Sequence, residues 1–511
     1  MRGLSQHCYL DCLLLSTCIP NLLPFKLATA DESTHILHEI QPLRTITMTS
    51  MLERLPEELL LEIFCYLRPL RKETSQDFYV ATDKGKSQAI TSLCLTSKRL
   101  SLITTPMLYS EVILSQPGDL KQDQISLFLR TVLRNPVRGQ QITYIEHKLV
   151  ECSYMKCRHD CDHGQYHETS IWAEHHELIQ SVASTLWDGR KLQTWEKLLR
   201  AYPNLAQLIL LLRYSPNITH IYIYITNKAF DWGFSLLCMG ICTQDPSFDN
   251  YELSQLEKIC TYSMQGCDYR DRSDIRPSIS EGFYSFLQQL PSLRHYSHTY
   301  ACEHFREPPP LPPHIYHLPK LEVLDLQGNS SAMNVAIPLV NACHNLKTLK
   351  YGSTGFYDET CFDDLHAAML SRSKTLEHIT LSMESEWSIW TPLRGSFSQF
   401  TNFRSLDVGD MILLGIPDGW DTDSVSVGLY LWTSFQPHHR LSSLLPSSLE
   451  SLYLNREFAF LSDETELLWD FVHDLAQFPL LRVFGCRNGS PGDFVKLSAA
   501  FAKCGVDFMT T

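Results

Sequence analysis

One spacing recurs so often along this chain from residue 205 onward that it limits what the chain can fold into. It is an apolar residue, a second three positions on and a third at five. Copies stand at Leu205/Leu208/Leu210, Ile218/Ile221/Ile223, Leu321/Leu324/Leu326, Leu346/Leu349/Tyr351, Leu376/Ile379/Leu381, Phe403/Leu406/Val408, Leu449/Leu452/Leu454 and Leu481/Phe484/Cys486, with a weaker one at Leu293/Tyr296/His298. Alternate side chains of a strand face the same way, so the +3 and +5 residues enter one core while the leading residue packs the turn before them. A proline two residues ahead of the leading position, at Pro203, Pro216, Pro291, Pro319 and Pro479, marks that turn.

From Leu321 to Phe403 the leading residues lie 25, 30 and 27 positions apart. Units of this size bury their apolar side only against their neighbours. The chain resembles an irregular leucine-rich-repeat array, which implies an α/β solenoid with a strand and a helix per repeat. Residues 283–290, 361–371 and 464–478 supply helices of its outer layer. Independent strands of another α/β fold are the alternative. In the solenoid reading the +2, +4 and +6 residues turn outward on the concave strand face, the expected target surface, with Asp325, Lys350, His378, Asp407 and Tyr453 as its candidate contacts. Both charge signs and no run of Lys or Arg suit a protein or peptide better than a nucleic acid.

A second feature lies at Leu55-Pro56-Glu57-Glu58-Leu59-Leu60-Leu61-Glu62-Ile63-Phe64-Cys65-Tyr66-Leu67. Pro56 suits a first helical turn, and Glu57 and Glu58 complement the helix dipole. The apolar stripe runs nearly all round, so one face must meet its own domain and another a partner. Further apolar residues follow at Ile90, Leu93, Cys94 and Leu95, then Ser97-Lys98-Arg99-Leu100 and Thr105-Pro106-Met107-Leu108-Tyr109, with Ser97 and Thr105 as N-cap candidates. These segments make a three-helix unit. The residues resemble an F-box, in the form seen in fungi, although the interval from Arg71 to Ser87 is longer than that family usually has. An ordinary buried helical hairpin is the alternative. The resemblance implies docking on an S-phase-kinase-associated adaptor, and through it a cullin, by Leu55, Pro56, Leu59, Ile63 and Leu67, with part of Leu93, Leu95 and Leu100 as internal support. An F-box joined to leucine-rich repeats is similar to the substrate receptors of cullin-type ubiquitin ligases. A ligase-independent scaffold is the second reading.

The organisation expected is therefore a disordered or wrongly assigned extension over residues 1–47, an F-box over 48–112, a connecting region with an early repeat-like unit and a Cys/His-rich loop over 113–200, and repeats over 201–511. A loop is inserted near 411–445, and Pro308–Pro313 forms a stiff connector. The patchy apolar run near Leu13 is interrupted by Asp11 and is too short to span a bilayer.

With 44% hydrophobic and 20% charged residues the 511-residue chain has a globular composition, and a net charge of −14 argues against nucleic-acid binding. Its 17 cysteines form no regular framework and read as reduced thiols of a cytoplasmic or nuclear protein. Cys152, Cys157, Cys161 and His163 could close a structural zinc site, although the paired Cys-x-x-Cys spacing is missing. His176-Glu177-Leu178-Ile179-Gln180 approaches a zinc-protease motif but has Gln at the second ligand position. No phosphate loop, nucleophile elbow or dinucleotide fingerprint is present, so a non-catalytic receptor without cofactors is expected, and a zinc-dependent activity is the weaker alternative.

Overall fold

The structure is a computed structural model and describes residues 51–67, 84–115, 124–148, 170–186, 189–201, 203–226, 253–264, 286–301, 317–327, 333–353, 360–383, 390–391, 395–409, 412–413, 440–455, 464–487 and 491–510. Residues 1–47, the proline run at Pro308–Pro313 and most of the 411–445 insertion lie outside them.

Short runs of alternating apolar residues give most of the strands among the described residues. They are β1 (Glu111–Ser115), β2 (Tyr144–Lys148), β3 (His220–Thr226), β4 (Lys258–Met264), β5 (His295–Ala301), β6 (Val323–Leu326), β7 (Thr348–Ser353), β8 (Thr360–Cys361), β9 (His378–Met383), β10 (Trp390–Thr391), β11 (Ser405–Gly409), β12 (Ser451–Asn455), β13 (Val483–Arg487) and β14 (Asp507–Thr510). Twelve of them form one sheet whose spatial order is the chain order, while β8 and β10 pair separately. Every neighbouring pair in that sheet is parallel. Each connection therefore returns to the same end and lays the next strand beside the last, an α/β winding compatible with a repeat solenoid.

The +3 residues line up across the sheet as Ile221, Ile259, Tyr296, Leu324, Leu349, Ile379, Leu406, Leu452 and Phe484. All are buried, and Leu129, Leu208, Leu339, Leu365, Phe471 and Phe501 from helices join the same core. Aromatic rings fill its last third, where Phe397 stacks on Phe403 at 5.7 Å and Phe484 on Phe501 at 4.6 Å.

Two expectations are corrected. The Leu205/Leu208/Leu210 triplet lies in the helix Pro203–Arg213, because every residue from 205 to 212 is buried and an unbroken apolar run carries no strand alternation. Thr105 caps no helix: the helix Lys98–Ser110 runs on through Pro106. The sheet also holds a strand that the triplets did not mark, β4, whose leading, +3 and +5 residues are Leu256, Ile259 and Thr261. Thr261 is buried and lies 2.7 Å from His298 Nδ1 on the next strand, so a polar pair occupies two core positions where the pattern asks for apolar ones.

The +1 residues form an ordered edge. Glu257, Arg294, Glu322, Lys347, Glu377, Arg404, Glu450 and Arg482 precede consecutive strands, and the sign alternates at every step. Each backbone N–H donates to the carbonyl of the residue before it in this series, at 2.8 to 2.9 Å. Side chains pair along the row: Glu322 with Arg294 (3.7 Å) and Lys347 (3.1 Å), and Arg404 with Glu377 and Glu450 (3.8 Å each). Neighbouring strands lie about 4.8 Å apart, which places successive charges within reach of both neighbours.

Candidate functional site

Ahead of the sheet stand three helices, α1 (Glu57–Cys65), α2 (Lys84–Thr96) and α3 (Lys98–Ser110), with the 3-10 turn Met51–Arg54 before them. Pro56, at φ −53° and ψ 151°, is the N-cap of α1, and Glu57 and Glu58 fill its first turn. Ser97 caps α3 as the sequence predicts, its hydroxyl accepting the Leu100 N–H at 3.2 Å.

The unit has its own small core of Leu60, Phe64, Leu100, Ile103 and Met107, against which Leu52, Leu55, Leu67 and Leu93 pack. This sorts the residues expected to dock. Leu55 and Leu67 are half-buried on that core and support it, whereas Pro56, Leu59 and Ile63 face outward, the two aliphatic side chains 46% and 42% exposed. Leu60 and Phe64, each about 100° further round the helix, face the core, as a wheel of 3.6 residues per turn requires. The supporting trio divides as well: Leu100 is buried and Leu93 half-buried, so these two are the part that supports the core, while Leu95 points out of α2 at 52% exposure. Tyr66 and Leu102 are also exposed, and the sequence reading did not single them out as outward. The signal available for Tyr66 was its place past the end of α1, where the apolar stripe outruns the helix.

The second surface is the sheet face opposite the helices. The alternation that buries the +3 and +5 residues puts Val323, Asp325, Thr348, Lys350, His378, Thr380, Ser405, Asp407, Ser451 and Tyr453 together there, most of them half-buried and His378 exposed. Asp325 and Lys350 face each other on β6 and β7 with Oδ2 and Nζ 3.6 Å apart. Burial pushes the Asp325 carboxyl above the ordinary aspartate range, and Lys350, then Lys258, draw it back. Across β11 and β12, Asn455 Nδ2 donates to Asp407 Oδ1 at 2.6 Å and Ser451 Oγ to Ser405 Oγ at 2.8 Å. Tyr453 stands between Asp407 and Gly485 in register.

The same face carries an aromatic end that the sequence reading missed. Tyr144 lies 5.1 Å from Tyr222 between ring centroids, and Lys258 Nζ lies 5.5 Å above the Tyr222 ring. Half-buried Tyr222 between the buried Ile221 and Ile223 was its signal.

Cys152, Cys157, Cys161 and His163 lie outside the described residues. Among the described residues no group of three or more His, Cys, Asp or Glu is placed to hold a metal ion, and no helix is long and apolar enough to cross a membrane.

No protein-family model and no curated protein matches the chain. A crystal structure of a protein from Bacteroides fragilis is similar over 58% of this chain at 13% identity and a TM-score of 0.27, and the chain spans 66% of that protein, just under two thirds of its length. So slight a likeness carries no argument about fold or function.

Proposed function

We propose that the chain is the substrate-recognition subunit of a cullin-type ubiquitin ligase, in which α1 to α3 act as an F-box and the sheet face holds the protein target. The observation that carries this reading is the outward row Pro56, Leu59 and Ile63 on a helix whose other face, Leu60 and Phe64, already fills a core of its own. Apolar side chains left outward on a self-sufficient helical unit mark a surface for a partner. On this reading the chain breaks and makes no bonds. It raises the effective concentration of a target beside an activated ubiquitin carried by another subunit.

The test is co-expression with the S-phase-kinase-associated adaptor and a cullin. The adaptor should co-purify with the intact chain and be lost with Ile63→Asp, since an unpaired charge buried at an interface costs several kcal/mol. Full retention by Ile63→Asp overturns the docking reading. Adaptor binding without ubiquitin transfer to captured proteins favours the ligase-independent scaffold. For the target surface, reversal of Asp325 and Lys350 together with Tyr453→Ala should release captured proteins while the adaptor stays bound. An unchanged captured set moves recognition off this face.

A further inference from the structure

The peptide leading into α1 is held from the side by a residue of α3. Arg99 donates through Nη1 to the Glu53 carbonyl and through Nη2 to the Leu55 carbonyl, the latter at 2.7 Å. Those two carbonyls flank the step from the 3-10 turn into Pro56, upstream of the bond from Leu60 N–H to the Pro56 carbonyl that joins the helix to its cap. The fork of a guanidinium can serve two acceptors at once, which the single ammonium of lysine cannot do in the same fixed geometry. Arg99 is itself well anchored. Two residues before it Ser97 caps α3, and the next residue, Leu100, is buried against Leu60 and Phe64 in the small core.

We infer that Arg99 is a positioning residue for the docking row, an inference that rests on the F-box reading above. Its fork fixes the backbone at Glu53 and Leu55, and so fixes where Pro56, Leu59 and Ile63 stand before any partner arrives. A surface ordered in advance loses less conformational freedom on binding, and the benefit appears as affinity. Lys98, exposed beside it on the same turn, has the same charge and shares neither carbonyl. It is therefore the natural control for charge alone.

The experiment measures binding of the purified full chain to the purified adaptor, together with thermal unfolding and amide hydrogen exchange over residues 51–60. Arg99→Ala should weaken binding about three- to tenfold, the equivalent of one or two ordinary hydrogen bonds, and speed exchange at the amides before α1. The melting transition of the sheet should stay where it is. Arg99→Lys should recover part of the affinity, and Lys98→Ala should change nothing. Undiminished binding by Arg99→Ala, or an equal loss with Lys98→Ala, overturns the clamp. Ile63→Asp, run alongside, separates the two ideas. If it abolishes binding while Arg99→Ala binds normally, the clamp alone fails; if both variants bind fully, the docking reading fails and takes the clamp's role with it.

Discussion

The ring of Tyr453 lies over Gly485 of the adjacent strand, so close that a Cβ at Gly485 would fall 2.2 Å from Tyr453 Cδ1. The missing side chain on β13 is what lets an aromatic ring lie along the sheet face instead of standing off it. Gly485→Ala should therefore destabilise the chain by about 1–3 kcal/mol or drive the ring outward. A double-mutant cycle with Tyr453→Ala, read by urea unfolding, checks this. The cost of the alanine should largely vanish once the ring is gone, and a cost that persists would place the strain elsewhere.

Stability and docking should separate along α1. Leu60 is fully buried, and Leu60→Ala should cost about 2–5 kcal/mol in the three-helix unit. Ile63→Ala, on the exposed row, should leave unfolding almost unchanged and weaken adaptor binding. Circular dichroism melts and a binding titration on the two variants decide it; equal destabilisation by both would contradict the facing described for α1.

Acid should weaken the fold through the polar core of β2 and β5. Burial holds His147 and His298 neutral, with pKa values near 4 in place of 6.5. Between pH 6.5 and 4 the unfolded chain takes up protons at these imidazoles that the folded chain does not. Stability is therefore lost as pH falls through that window. Urea unfolding at pH 7 and pH 5 should show the drop, and His298→Asn should make it shallower. A slope unaltered by that substitution would mean that His298 titrates normally.

The alternating edge should respond to salt. Glu377→Lys places a third cation between Lys347 and Arg404 and removes the 3.8 Å pair with Arg404. Exposed pairs of this kind contribute about 0.2–1 kcal/mol each, so the loss should be modest at low ionic strength. It should shrink further at 1 M salt, where the screening length falls to about 3 Å. Chemical unfolding at both salt concentrations measures the difference, and a loss independent of salt would assign the effect to packing.

Much of the sheet was legible because its code is local. Leu321, Leu324 and Leu326 announce β6, and seven other triplets do the same for their strands, since burial on one face only demands alternation. The code failed where burial was complete or polar. Around Leu208 every neighbour is buried, so nothing in the pattern distinguishes helix from strand. At Ile259 the +5 position is Thr261, whose partner His298 lies 37 residues away, and a single segment does not reveal that compensation. On α1 the composition predicted two covered faces but did not say which was which. The answer depended on Leu100 and Ile103, which arrive from α3 and claim Leu60 and Phe64, leaving Leu59 and Ile63 outside. The sign alternation from Glu257 to Arg482 was in plain view, yet it acquires meaning only when the register sets those residues side by side.

That alternation gives the array a parity. Removing one strand-and-helix unit between Glu257 and Arg482 brings two like charges together at the new junction, whichever unit is taken. Removing two consecutive units restores the order of signs. Insertions obey the same arithmetic unless the added unit brings a neutral +1 residue, as Thr143 and Thr219 do at the start of the sheet. Lengthening or shortening the charged part of this edge is therefore least costly in steps of two, and the threonine end is where single units can be gained or lost without that repulsion.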